Sequence, residues 1–501
     1  MSDQSDQARA SILDRIAQAY AILPGGVDDP IYIERYYRHV ATEELALREP
    51  STLAGAALTH RQLAQHRQPG TAKVQVFNPD AASAGWSSPR TVVQIVTDDM
   101  AFLVDSITGA VVSEDIDIHL LVHPQFIATR NASGDLDAVV DADPSPDHVR
   151  PQHAVGDLPE SWIMLTIDRQ SDEGRRSQLE SRVRSVLGDV RESVEDWPKM
   201  RTKCLVVAAE LEGSPPPGVD KTDIAQAVSF LRWMADNHFT FLGYREYTLH
   251  WEDDGEHIDP VTGTGLGMLR ADPSLQAPRP PLTESASALA HEPTVLVLTK
   301  ANSRSTVHRT AYLDYVGVRV FDERGEVTGE RRFLGLYAST AYTESVTRIP
   351  LVADKVRAII TSSGVAHDSH TGKDLMGILE TYPRDELIQA SVEELRETAF
   401  ALTQLQERRR TKLFLREDDF ERFVSCLVFI PRDRYNTAVR LKMAQILKDT
   451  FHGASVDFDV RVSDQALSRI EIVVRAAKGQ KITRLSKQEE AELEHRLVEV
   501  S

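Results

Sequence analysis

The chain has 501 residues, 27% charged and 41% apolar, with a formal net charge of −19. That length exceeds one core and calls for about three domains, and the composition excludes wholesale disorder. The acid excess argues against nucleic acid or an anionic membrane as the main partner.

The two cysteines, Cys204 and Cys426, allow neither a disulfide framework nor a four-cysteine zinc site and read as buried, reduced thiols. The first ten residues are acidic and polar, unlike a signal peptide. No apolar run approaches the roughly 18–20 residues of a membrane helix. The expectation is a soluble, cytoplasmic chain.

In chain order, residues 1–70 read as helices. Ile12, Ile16, Ala17 and Tyr20, then Tyr36, Tyr37 and Val40, fall at helical spacing. Val74–Phe77 reads as a strand ended by Asn78-Pro79-Asp80. Thr91–Val96 is a β-branched strand, after which Thr97-Asp98-Asp99 can cap a helix bearing Phe102, Leu103, Ile107 and Val111. Ile116–Thr129 returns to strand, 131–160 is an excursion and Trp162–Ile167 is a strand. Gln170–Leu187 is a helix and Cys204–Ala209 a closing strand. The order β-α-β, break, β-α-β is that of a ferredoxin-like antiparallel sheet, an α+β fold.

Gly213–Gly218, with three prolines, is a linker. Beyond it come a helix at Ile224–Asn237 and strands at Phe239–Leu249 and Thr294–Leu298. Val316–Phe321 and Glu326–Tyr337 bracket a hairpin turn at Asp322-Glu323-Arg324-Gly325. Helices follow over Leu351–Arg408. The last strand-rich stretch has strands at Phe423–Ile430, Val456–Val462 and Ile470–Val474 and a helix at Tyr435–Lys448. The charged tail 478–501 reads as helical or frayed.

Gly263-Thr264-Gly265-Leu266-Gly267 has the wrong spacing for a dinucleotide turn, and Met268-Leu269-Arg270 opens no helix. His119 and His123, four apart on a strand, stand about 13 Å apart, too far to share an ion. His367, Asp368 and His370 read as a helix cap, and no catalytic constellation or metal site stands out. Lys300-Ala301-Asn302-Ser303-Arg304-Ser305-Thr306-Val307-His308-Arg309 gathers cations and small donors that can hold a carboxylate or phosphate, with Arg331 and Arg332 near by. On an acidic chain the nearer anions are internal, such as Asp314, Asp322 or Glu326. The segment therefore reads first as a docking surface. Asp98 and Asp99 read first as capping residues, and as an effector site second.

Long motifs carry a family resemblance. They are Phe77-Asn78-Pro79, Gly85-Trp86, Ile95–Ser106, Ile118-His119-Leu120, Phe239–Tyr244, Leu298–Arg309, Gly329–Leu336, Leu379–Leu387 and Arg422–Tyr435. Together they resemble the N-terminal part of the large NAD-specific glutamate dehydrogenases, over about residues 30–475. The resemblance implies three ACT-type, ferredoxin-like units joined by helical segments. Their expected bounds are 85–212, 224–349 and 411–477. A helical segment and first strand over 1–84 precede them, a proline-rich linker over 213–223 and a helical connector over 350–410 separate them, and a charged tail over 478–501 follows.

The resemblance further implies a regulatory and oligomerising portion of an enzyme that converts L-glutamate, NAD and water to 2-oxoglutarate, ammonia and NADH. The family's catalytic residues and NAD site have no matching positions here, so no catalytic residue, cofactor or metal is expected in this chain. The expected partners are the catalytic portion or further copies of the chain, and an amino-acid effector. Asp98, Asp99, Lys300, Asn302, Arg304 and Arg309 are the candidate effector-binding residues. The alternative is a free-standing amino-acid-binding regulator.

Overall fold

The computed structural model describes residues 2–82, 84–141, 157–270, 280–366, 369–408, 410–461 and 467–501. His367, Asp368 and part of the 131–160 excursion lie outside them. Two compact units result: Met1–Trp197 with Arg304–Ala311, and Pro198–Ser303 with Tyr312–Ser501.

The first unit begins with helices α1 (Ser2–Ile22), α2 (Pro30–Tyr36), α3 (Thr42–Ala46) and α4 (Pro50–Ala64). Proline opens α2 and α4, where its missing N–H costs nothing. The sheet that follows comprises β1 (Lys73–Phe77), β2 (Thr91–Asp98), β3 (Ile118–Val122), β4 (Gln125–Arg130), β5 (Leu136–Asp141) and β6 (Asp157–Ile167). Its order is β1-β2-β6-β4-β5, with β3 also on β6. Helix α5 (Leu103–Val112) joins β2 to β3, and α6 (Glu173–Gly213) follows β6.

One sheet face, with Val92, Val96, Trp162 and Met164, packs into a single core with Ile16, Tyr32, Ile33 and Ala57 of the leading helices. His60 ties α2 and α4 to β2: its ring nitrogens meet the Tyr36 hydroxyl at 2.7 Å and the Ile95 carbonyl at 3.1 Å. Burial lowers its pKa to about 3, so the ring is neutral. The alternate residues Val93, Ile95, Ile163 and Leu165 are equally buried, as are Ile107 of α5 and Val183 and Val190 of α6.

The expected closing strand at Cys204–Ala209 is instead helix, the end of α6. Met200, Cys204, Val207, Ala208 and Leu211 are buried at helical spacing, while Leu205 and Val206 are 37% and 43% exposed. One buried stripe with two exposed apolar residues beside it is helical, not a strand buried on both faces. The place of the closing strand beside β2 is taken by β1, which pairs antiparallel from Lys73↔Val96 to Phe77↔Val92. The ferredoxin order is thus circularly permuted, its last strand coming first.

In the second unit, α7 (Lys221–Trp233) and a π-helical turn (Met234–His238) lead into β7 (Phe239–Glu252). With β8 (Gly255–Pro260), β9 (Leu266–Gly267), β10 (Leu296–Arg304), β11 (Tyr312–Phe321) and β12 (Val327–Tyr337) it forms an antiparallel sheet ordered β10-β11-β12-β7-β8. Among the described residues, only the short α8 (Glu284–Ala290) interrupts the strand run. Phe241, Tyr244, Val316 and Phe333 pack with Cys204 and Val207 of α6 and with Val228 and Leu231 of α7.

Helices α9 (Ser339–Thr343), α10 (Val352–Ser362), α11 (His370–Thr381), α12 (Arg384–Gln389) and α13 (Val392–Arg408) precede the last sheet. That sheet holds β13 (Lys412–Glu417), β14 (Phe423–Pro431), β15 (Ser455–Arg461) and β16 (Leu467–Arg475) in the order β13-β14-β16-β15. Helix α14 (Thr437–Thr450) joins β14 to β15, and α15 (Lys487–Glu499) follows β16. This is the permuted order of the first sheet again, with β13 in the place of β1.

The charged tail, read as helical or frayed, is helical over Lys487–Glu499. A reciprocal capping box between Ser486 and Glu489 starts α15. Its Leu493 and Leu497 join Met443, Leu447, Ile470 and Ile472 in one core. Leu497→Ala should cost about 2–5 kcal/mol in urea denaturation. Val498→Ala, at a residue 38% exposed, should stay within about 0.5 kcal/mol. Equal effects would contradict the packing of α15.

Candidate functional site

The turn after β2 is built on buried charge. Arg67 and Glu160 are fully buried and Arg130 nearly so. Arg67 and Arg130 donate to the Glu160 carboxylate at 2.7 and 2.6 Å, and the Trp162 indole adds a third donor at 3.0 Å. Asp98 pairs with Arg67 at 2.8 Å and Arg191 at 2.7 Å. Burial raises the pKa of both carboxyls, but these arginines more than offset it, and both lie below their ordinary values. Asp99 accepts from the Ser161 hydroxyl at 2.6 Å and the Gln125 amide at 3.0 Å.

Neither aspartate caps α5. The N-cap is Phe102, left-handed at φ 70° and without a side-chain cap bond. Phe102 is also half-buried, where the sequence pattern predicts a core residue. The first turn of α5 is instead met by Arg304–Ala311, which belongs to the same unit. The His308 amide donates to the Ser106 hydroxyl at 2.9 Å, and the His308 ring lies 4.9 Å from that of Phe102. Thr306 donates to Asp189 at 2.7 Å, and Val307 is fully buried. Of the polar segment expected to dock, Thr306, Val307 and His308 do so here.

Lys300 lies elsewhere, in an ion-paired cluster of the second unit. Its ammonium sits between Asp314 and Asp385, 2.9 Å from the latter. Burial works against its charge, but Asp314 and Asp385 outweigh that and raise its pKa. Asp314, fully buried, is pushed up by desolvation and also accepts from the Tyr337 amide at 3.0 Å. Asn302, Arg304 and Arg309 are exposed, and both arginines have interaction partners. Arg331 pairs with Glu210, and Arg332 lies 3.9 and 4.8 Å from the ring centroids of Tyr247 and Tyr315, so neither joins Lys300.

The other candidates take structural places. His119 binds Asp168 at 2.8 Å and His123 binds Ser161 at 3.0 Å. Gly265 and Gly267 bear on β7: a Cβ at Gly267 would meet the Leu242 carbonyl oxygen at 2.2 Å. Met268, Leu269 and Arg270, directly after that glycine run, form a turn and not the start of a helix, so its residues do not fit a dinucleotide phosphate. Both cysteines are buried and free, and burial raises Cys204 to about 12.

A groove of about 410 Å³ in the second unit, with no signal in the sequence pattern, is walled by Leu296, Leu298, Arg319, Lys355, Glu394 and Asp419. Its cations are engaged. Lys355 donates to the carbonyls of Leu387, Ile388 and Ala390 at 3.1, 2.8 and 2.6 Å, at the end of α12. Arg319 donates to the Leu289 carbonyl in the last turn of α8 and to the Glu292 and Thr294 carbonyls just beyond it. Each thus satisfies the free carbonyls of a helix C-terminus.

These arrangements define a class: α+β modules, two of them with sheets of permuted ferredoxin order, with a helical segment between the second and third sheets. Models for the glutamate dehydrogenase ACT1 domain, helical motif 1 and ACT2 domain match residues 32–183, 349–408 and 412–501. The NAD-specific glutamate dehydrogenase of Halomonas elongata is 34% identical over 442 residues, 88% of this chain and 27% of that protein. The Pseudomonas aeruginosa enzyme is 35% identical over 89% of the chain, and the Mycobacterium tuberculosis enzyme 28% over 91%. The chain belongs to the NAD-specific glutamate dehydrogenase family and corresponds to its N-terminal region. It spans about a quarter (27%) of the length of these relatives.

Two measurements probe the buried charges. Lys300→Met strands Asp314 and Asp385 and should cost about 3–5 kcal/mol in chemical denaturation; an unchanged midpoint would contradict the triad. Glu471, on β16, is raised to about 8 by burial, with Glu386 and Asp385 adding repulsion. A carboxyl raised in the folded state stabilises at low pH and loses that contribution as pH climbs from about 4.5 through 8. Glu471→Gln should flatten the fall in stability over that window. An unaltered pH profile would contradict it.

Proposed function

We propose that this chain is the regulatory and oligomerising portion of an NAD-specific glutamate dehydrogenase. In that enzyme L-glutamate, NAD and water become 2-oxoglutarate, ammonia and NADH. The reading assigns the catalytic groups and the NAD site to a part of the family's polypeptide that these residues do not include. The observation that carries it is the pair of permuted ferredoxin sheets, each falling within a glutamate dehydrogenase ACT-domain match. The partners it calls for are the catalytic portion or further copies of this chain, in the cytoplasm. For an amino-acid effector it keeps Asp99, Arg304 and Arg309 in the first unit and, separately, Asn302 in the second. It sets aside Asp98 and Lys300, whose charges are held by ion pairs.

The purified chain, incubated with L-glutamate and NAD, should form no NADH above a mock preparation. Light scattering should give a mass above one chain. Turnover proportional to protein would overturn the division of labour, and a strict monomer would overturn the oligomerising role.

A further inference from the structure

The β7–β8 hairpin carries a side-chain cluster that the proposed function leaves unused. Its strands pair antiparallel with His250 opposite His257 and Thr248 opposite Asp259. Facing residues share a sheet face, and so do residues two apart. His250, Glu252, His257 and Asp259 therefore project from one side.

The two imidazole rings lie nearly parallel, 5.9 Å between centroids. His250 Nε2 stands 3.1 Å from a Glu252 oxygen and 3.5 Å from an Asp259 oxygen. His257 Nε2 stands 2.8 Å from an Asp254 oxygen. The donor atoms form two groups, His250–Glu252–Asp259 and Glu252–Asp254–His257, each with all atoms within 4.8 Å of one another. Glu252 belongs to both. Donors bonded to one ion at roughly 2.0–2.2 Å are about 3–4 Å apart, so the spacing is close to that of a coordination sphere.

Burial also fits. The His257 side chain is 6% exposed, which fixes its ring, while Glu252 and Asp254 are 56% and 62% exposed and open to an incoming ion. The two histidines fall in different groups, so one ion takes both only if a ring turns, and His250, at 36% exposed, is the freer of the two.

We propose that this hairpin binds one divalent transition-metal ion of the zinc class, with His250, His257 and Glu252 as ligands and Asp254 or Asp259 completing the shell. Imidazole beside carboxylate suits Zn²⁺, Co²⁺ or Ni²⁺, whereas Mg²⁺ and Ca²⁺ prefer oxygen donors alone.

The test is calorimetric titration of Zn²⁺ into the full chain, prepared without a polyhistidine tag. One saturable site per chain is expected. His250→Ala and His257→Ala should each weaken it by about tenfold or more, with circular dichroism showing both variants folded. His495→Ala, away from the hairpin, should leave the isotherm unchanged. Absence of saturable binding, binding that survives in the double histidine variant, or displacement of Zn²⁺ by equimolar Mg²⁺ would overturn the proposal. So would two ions, each lost with only one histidine.

Discussion

The backbone ladder between a leading strand and the strand that follows it is the constraint on which both ferredoxin-type sheets depend. β1 runs along β2, and β13 runs along β14, antiparallel over the length of the shorter strand. Without it β2 and β14 would be bare edges, with unpaired amides and carbonyls. Because the leading strand fills that edge, the chain after β6 and β16 need not return to the sheet. It can end each unit as a helix, α6 or α15. Each sheet then has helices for both faces: α1–α4 and α5–α6 for the first, α12–α13 and α14–α15 for the last.

The acid excess of the chain is matched by where its cations go. Arg67, Arg130 and Lys300 lie in buried or largely buried pairs with Glu160, Asp314 and Asp385. Arg319 and Lys355 satisfy helix-end carbonyls. Breaking such a pair leaves one charge stranded in a poor solvent, so these groups specify geometry more than they add net stability. Within the polar motif Leu298–Arg309, Lys300, Thr306 and His308 bond to remote parts of the chain.

Much of the fold was legible because its elements are strongly periodic: Thr91–Val96, Phe239–Leu249 and Phe423–Ile430 all lie in strands. Cys204–Ala209 misled because a short apolar run fits either period, and only the exposure of Leu205 and Val206 decides. Asp98 and Asp99 looked like caps from local sequence, but Arg67 and Arg191, remote in the chain, claim Asp98. For Lys300 the partner Asp314 was foreseeable from a neighbouring strand, whereas Asp385 comes from α12 and carries no local signal. The His250–His257 pair was invisible for the same reason, since its register exists only once β7 and β8 are paired.

The leading-strand ladder can be read directly by cross-linking. Leu415 of β13 stands opposite Cys426 of β14, and both face the core shared with α14 and α15. Directly opposed residues have Cα atoms about 4.5–5.5 Å apart, within disulfide range. Leu415→Cys, oxidised mildly and mapped by peptide mass spectrometry, should form an intramolecular disulfide with Cys426. Phe414→Cys, on the opposite face, should not. A free Cys426 in the Leu415→Cys chain, or an equal yield at both positions, would contradict the ladder and with it the permuted sheet.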